Sequence, residues 1–320
     1  MTDPAPNPHA TEEQVAAALK DSKLAQVLYH DWEAESYDDK WSISYDQRCI
    51  DYARGRFDAI VGTDAGRDLP YGHALELGCG TGFFLLNLIQ AGVARRGSVT
   101  DLSPGMVKVA TRNGKSLGLD VDGRVADAKG IPYGDDTFDL VVGHAVLHHI
   151  PDVEKSLREV VRVLKPGGRF VFAGEPTRVG NAYARRLANL TWNATVRAMR
   201  LPGLQSWRRP QAELDENSRA AALEWIVDLH TFDPADLERM AVNAGAEQVR
   251  TASEEFTAAM LGWPVRTFES TVPPGKLGWG WAQFAFKSWT ALSWVDANVW
   301  RHVVPKGWFY NVMITGVKPS

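Results

Sequence analysis

"LELGCGTG", residues 75–82, sets glycines at alternate positions, Gly78, Gly80 and Gly82, behind an apolar run that carries one acid, Glu76. A glycine-rich turn between strand and helix lets backbone amides approach a ligand that a Cβ would keep away. Asp101 closes the next short strand, and an acid there can accept hydrogen bonds from both hydroxyls of a ribose. The dinucleotide pattern G-x-G-x-x-G would put its third glycine at position 83, which is Phe83, so the spacing here is G-x-G-x-G. Turn and acid together point to an adenosine-containing ligand without naming it. A second cluster, "HAVLHHIPD" (144–152), supplies His144, His148 and His149, and an imidazole that titrates near neutrality suits general-base work. Glu175, just before Pro176, is a further candidate base. For each of these groups the alternative is a structural turn or a satisfied core residue. Cys79 reads as a small turn residue.

Positioning these groups requires strands that end where they stand. The sequence predicts strands at 73–77, 98–101, 122–126, 138–144 and 169–173, with helices at 83–91, 104–117 and 153–164 between them. "KPGG" (165–168) reads as a turn. Strands separated by helices of this length imply a parallel, doubly wound α/β sheet. Ligands of such sheets sit beyond the carboxyl ends of the strands, where Gly78, Asp101 and His144 fall. A helix is expected at 47–61. Thr11 with Gln14 resembles a capping box for a helix further toward the N-terminus, and "HDWEAESYDDKWS" (30–42) between the two reads as loop. After Pro176 the alternation is lost to apolar helical segments at 181–200 and 216–229. It returns with a helix from Asp233 to Asn243 and a strand near Gln248, breaks again over 253–305, and closes on "WFYNVMITGVKP".

The region from about 71 to 176 resembles the class I S-adenosylmethionine-dependent methyltransferases, particularly the small-molecule branch that includes the quinone-biosynthesis enzymes. The resemblance rests on "LELGCGTG", "TDLSPGMVKVA", "DAKGIPYGDDTFDLVV", "HAVLHHIPD" and "LREVVRVLKPGGRFVF", in that order. It implies a Rossmann-like, doubly wound seven-stranded sheet, mostly parallel with an antiparallel last strand, and helical caps at both ends of the chain. It also implies S-adenosyl-L-methionine as cofactor. Glu76, Gly78 and Gly80 would line the amino-acid end of that molecule, and Asp101 its ribose. Leu102 and Met106 would pack near the adenine, with Asp127 and Ala128 at its amino group, while His144 would lie under the methionine part. Tyr37 would close over the site. The implied division is a tail at 1–10, an N-terminal cap at 11–66, and a methyltransferase domain at 67–320 with insertions at about 177–230 and 253–305.

The totals bound the rest. A net charge of −4, with 45% hydrophobic and 23% charged residues, suits a globular protein without a global field for nucleic acid. Two cysteines, Cys49 and Cys79, exclude a disulfide framework and suit a reducing cytoplasm. The polar start lacks the marks of a signal peptide. The expected acceptor is a small, lipophilic or aromatic molecule methylated on oxygen or carbon. A macromolecule is disfavoured because "HAVLHHIPD" stands where nitrogen-methylating nucleic-acid enzymes carry an Asn/Asp-Pro-Pro-Tyr/Phe motif. Two alternatives are a catalytically silent S-adenosylmethionine-binding protein and a nicotinamide-dependent oxidoreductase.

The 12 tryptophans are unevenly placed, six of them within 279–308. In that region Trp281, Phe284, Leu292, Val295 and Val299 share a helical stripe, extended sideways by Phe286, Trp289 and Trp300. The stripe can be a packed cap, the wall of an acceptor pocket, or a peripheral membrane contact through 279–300. The last reading lacks the expected lysine and arginine on the polar face, since from Trp281 to Trp300 the only charges are Lys287 and Asp296.

Overall fold

Short apolar runs alternating with capped helices give a layered α/β fold in the computed structural model, which describes residues 21–38, 43–62, 69–210, 227, 229–273 and 275–320. The expected tail, the capping box at Thr11 and most of 216–229 lie outside the described residues. Helices α1 (Ser22–Glu33) and α2 (Gln47–Val61) start at Asp21 and Asp46, whose carboxylates accept from first-turn amides. Then follow β1 (Tyr71–Leu77), α3 (Phe83–Gln90), β2 (Ala94–Asp101), α4 (Pro104–Ser116), β3 (Val121–Val125), β4 (Phe138–His144), α5 (Val153–Val163) and β5 (Leu164–Pro176). The chain continues through α6 (Arg178–Ala198), α7 (Pro234–Asn243), β6 (Glu247–Glu254), α8 (Thr257–Thr271), α9 (Trp279–Asn298) and β7 (Asn311–Val317).

The described strands form one seven-stranded sheet in the order β3-β2-β1-β4-β5-β7-β6. Only β7 runs against its neighbours. It is the Rossmann-like arrangement, mostly parallel with an antiparallel last strand. Side chains of β4 alternate between the two faces. Val141 joins Leu75, Leu157 and Phe170 in the core under α5 and α7, whereas Leu140 and Val142 join Phe57, Phe84 and Leu88 in the core under α2 and α3. The chain reverses direction at β1, with β2 on one side and β4 on the other. That switch point opens a crevice at the carboxyl ends of β1 and β4.

Three expectations are corrected. "KPGG" is not a connection before the strand but lies inside β5. Phe138 pairs with Leu164 and Leu140 with Arg169, so four residues bulge from the ladder, and Gly167 takes φ 76° to allow it. His30 to Glu33 belong to the last turn of α1 and not to a loop, because Asp31 is drawn down onto α4: it accepts hydrogen bonds from the Ser103 hydroxyl and, at 2.7 Å, from the Gly105 amide. The tryptophan-rich helix α9 packs against α8, and only Asp296 on it is buried. Trp281, Leu292 and Val295 face inward, but Phe284, Phe286 and Val299 of the expected stripe are exposed. Asp296 caps the N-terminus of α8 from a distance in sequence. Its carboxylate accepts from the amides of Phe256, Thr257 and Ala258 and from the Thr257 hydroxyl.

Candidate active site

The glycine turn leaves β1 and enters α3 with Gly78, Gly80 and Gly82 at φ 60°, 50° and 89°. These are left-handed conformations that a side chain would strain. A Cβ on Gly78 would stand 2.1 Å from Val146 Cγ2, so the turn and the segment after β4 touch at bare backbone. A Cβ on Gly80 would meet only the Tyr37 ring, at 3.9 Å. There the missing side chain leaves space in a cleft of about 1120 Å³, mouth included, along the carboxyl edge of the sheet. The Asp101 carboxylate accepts from the amides of Gly80 and Ser103, both at 2.9 Å. Each of its oxygens keeps a second lone pair. Burial pushes Asp101 up to about 6 and Glu76 up to about 8.

Tyr37, Glu76, Gly78, Gly80, Asp101, Leu102, Asp127, Ala128, His144 and His149 all line this cleft. Met106 does not. It is fully buried in α4 against Ala34, Val109 and Tyr37, so its expected place at the adenine is corrected to a core position that supports the wall. Asp127 ion-pairs with Lys23 of α1 at 3.0 Å. Burial would raise its carboxyl, but the Lys129 amide and Lys23 outweigh that and hold it below the ordinary range.

The three histidines separate into distinct environments. The His144 ring sits among Tyr52, Phe83 and Phe84, its Nε2 3.3 Å from the Tyr52 hydroxyl. Burial lowers it to about 4, so it is neutral at physiological pH. His149 reaches the cleft with Nδ1 2.9 Å from the Val227 carbonyl. Because a carbonyl only accepts, Nδ1 carries the proton and the Nε2 lone pair is basic. Burial, helped by His148 and His30, pulls His149 well below the ordinary histidine range.

His148 and Glu175 are not brought to the cleft wall. Glu175 is fully buried and accepts from the amides of Val146, Leu147 and His148 and, at 2.8 Å, from His148 Nδ1. A carboxylate so occupied has no geometry for taking a substrate proton. Its bonds instead hold the short turn Leu147–His149 that aims His149.

The cleft's outer wall was missed in the sequence. Lys23, Gln26 and His30 project from one face of α1. Gln26 donates to the Val227 carbonyl at 2.7 Å, and His30 Nε2 lies 3.1 Å from Gln26 Oε1. Tyr45 donates to the Thr81 carbonyl at 2.8 Å and accepts from Asn113, which ties the segment before α2 to the glycine turn. The spacing of Lys23, Gln26 and His30 along one helical face was the available signal.

A doubly wound sheet with a glycine turn and a strand-end acid at its switch point is a Rossmann-like domain. Residues 75–172 match a family model described as a methyltransferase domain. Residues 75–172 thus carry a methyltransferase domain, similar to those of the class I S-adenosylmethionine-dependent methyltransferases. It is 32% identical over 174 residues to the 27-O-demethylrifamycin SV methyltransferase of Amycolatopsis mediterranei, covering 53% of this chain and 58% of that protein. It is 37% identical over 97 residues to the demethylmenaquinone methyltransferase of Thermus thermophilus, covering 30% and 44%. The chain thus spans little more than half of the first relative and less than half of the second. Phosphoethanolamine N-methyltransferase 2 of Haemonchus contortus, solved with phosphomonomethylethanolamine and S-adenosylhomocysteine, shares the fold with a TM-score of 0.50 at 15% identity, over 84% of this chain and 53% of that one.

The residues present fit S-adenosylmethionine. The bare Gly80 keeps the cleft open, and the buried Glu76 carboxyl, raised by desolvation, would be relieved by the positive charge of a cationic amino-acid end.

Proposed function

We propose that this chain methylates oxygen or carbon of a small, lipophilic or aromatic acceptor. The observation that carries this reading is one cleft with Glu76, Gly78, Gly80 and Asp101 on one wall and His30 and His149 on another. Bound S-adenosylmethionine supplies an electrophilic methyl group on a sulfonium. The chain's own residues hold and orient: Asp101 accepts from the ribose hydroxyls, and Glu76 faces the amino-acid end. In-line approach of a positioned acceptor then accounts for much of the rate. Ile43, Phe83, Val146, Ile150 and Pro151 give the cleft an apolar lining, which keeps water from the reacting centre and favours an apolar acceptor. The names of the two relatives, a rifamycin and a menaquinone methyltransferase, support acceptors of that kind.

His149 is the group that takes an acceptor proton. A neutral imidazole whose basicity burial has lowered suits a phenol or enol, which gives up its proton readily, better than an aliphatic alcohol. His149→Ala is expected to lower kcat by roughly 10²-fold or more with the dissociation constant for S-adenosylmethionine unchanged. Full turnover in that variant would return His149 to a structural role. Asp101→Ala is expected to weaken cofactor binding by about 1–3 kcal/mol, read by calorimetric titration. An unchanged dissociation constant would remove Asp101 from the ribose site. The reaction itself is tested by incubating the protein with methyl-labelled S-adenosylmethionine and a metabolite extract. Label in a small organic product supports the reading, and label in none, with cofactor bound, leaves a silent binding protein.

A further inference from the structure

Charge is unevenly distributed in the elements that leave the carboxyl edge of the sheet. Residues 177–210 contain seven arginines and no acid, and 275–295 contain two lysines and no acid, in a chain of net charge −4. The structure brings the end of the first stretch beside the residues that lead into the second. The Arg209 amide donates to the Thr271 carbonyl and its guanidinium to the Val272 carbonyl, at 3.2 and 2.7 Å. Lys276 Nζ lies 5.4 Å from the centre of the Trp207 ring. At 21 residues, α6 carries this tip roughly 30 Å from Thr177.

The tip pairs that charge with apolar side chains that nothing described covers. Leu201 is 57% exposed, Leu204 42% and Trp279 77%, and Trp294 further along α9 is 64% exposed. Between them Arg200, Arg208 and Arg209 line one shallow cleft. Gly203, at φ 86°, turns the loop so that Leu201 and Leu204 both project. We propose that this tip, 199–210 with 275–279, docks the protein on the surface of an anionic phospholipid bilayer. Arginine and lysine meet headgroup phosphates while leucine and tryptophan enter the boundary below them. α9 itself carries one cation, Lys287, and α6 with its loop supplies the others. Among the described residues no helix is long and apolar enough to cross a membrane, so the contact is peripheral. Exposed Leu201 and Leu204 favour a bilayer over RNA, which would take the arginines and stack bases on tryptophan but leave the leucines in water.

Flotation of the full chain with unilamellar vesicles tests this. The protein is expected to float with phosphatidylcholine vesicles that contain phosphatidylglycerol and to remain below with phosphatidylcholine alone. Leu201→Ser combined with Leu204→Ser and Trp279→Ala is expected to abolish flotation. Arg200→Glu with Lys276→Glu is expected to weaken it at least about tenfold. Circular dichroism and S-adenosylmethionine affinity should match wild type in both variants, which separates lost docking from lost folding. Wild-type protein that stays below anionic vesicles would overturn the proposal. Flotation that survives the apolar triple substitution would overturn it equally, as would tighter binding to single-stranded RNA than to the vesicles.

Discussion

Glu175→Ala is expected to destabilise the protein by about 3–5 kcal/mol, although the residue touches no ligand. Its carboxylate accepts three amides and one imidazole, and alanine would leave four buried donors without their acceptor. Thermal unfolding should move down by roughly 10 °C. Turnover should fall as well, because the Leu147–His149 turn loses the anchor that aims His149. Glu175→Gln keeps part of the acceptor set and should lose less of both. Burial alone would raise the Glu175 carboxyl, but the His148 bond and the amides prevail and hold it below the ordinary glutamate range. Its stabilising contribution is therefore present above the unfolded-state value and is lost as pH falls through the depressed folded one. The Ala variant should accordingly lose less stability to acid than wild type. A melting temperature equal to wild type would show that the carboxylate does not hold the turn.

The second large effect has the opposite sign for stability. Burial raises Glu76 to about 8 from an unfolded value near 4.5. Between these values the folded state binds more protons than the unfolded state, so the ligand-free protein loses stability as pH rises from about 4.5 to 8. At neutral pH the cost is on the order of a few kcal/mol. Glu76→Gln removes it and should raise the melting temperature of the ligand-free protein by several degrees at pH 8, with little change at pH 4. On the proposed placement the same substitution should weaken S-adenosylmethionine binding, because a cationic amino-acid end beside Glu76 would lower its value and use the carboxylate so created. In wild type, affinity should increase with pH up to about 8. In the Gln variant that slope should flatten, leaving the smaller contribution of Asp101. A slope unchanged by the substitution would place the cation elsewhere. Such a trade of stability for ligand binding is common at functional sites.

The parts of the fold legible in the sequence are those encoded locally. Residues 138–144 form β4 as the apolar run predicts, Gln47–Val61 forms α2, and Asp233 starts a helix that ends at Asn243. The glycine turn and Asp101 were legible for the same reason, since left-handed backbone and a strand-end acid leave local marks. Contacts made across the chain leave none. Asp296 caps a helix that begins about forty residues earlier. Arg56 of α2 is buried against Glu254 at the end of β6, at 2.7 Å, with the Tyr52 ring stacked on its other side. Glu175 looked like a base because it ends a strand at the catalytic edge, and only its four partners show that it is a structural anchor. The bulge at "KPGG" was unreadable for a related reason: a turn signal inside a strand and a turn signal between elements have the same composition.

The central claim is that Glu76, Gly78, Gly80 and Asp101 form an S-adenosylmethionine site. Calorimetric titration of the wild-type chain with S-adenosylmethionine and, separately, with NADH tests it most directly. The predicted result is saturable binding of S-adenosylmethionine, weakened in Asp101→Ala, and no heat of binding with NADH. Binding of NADH alone would contradict the account.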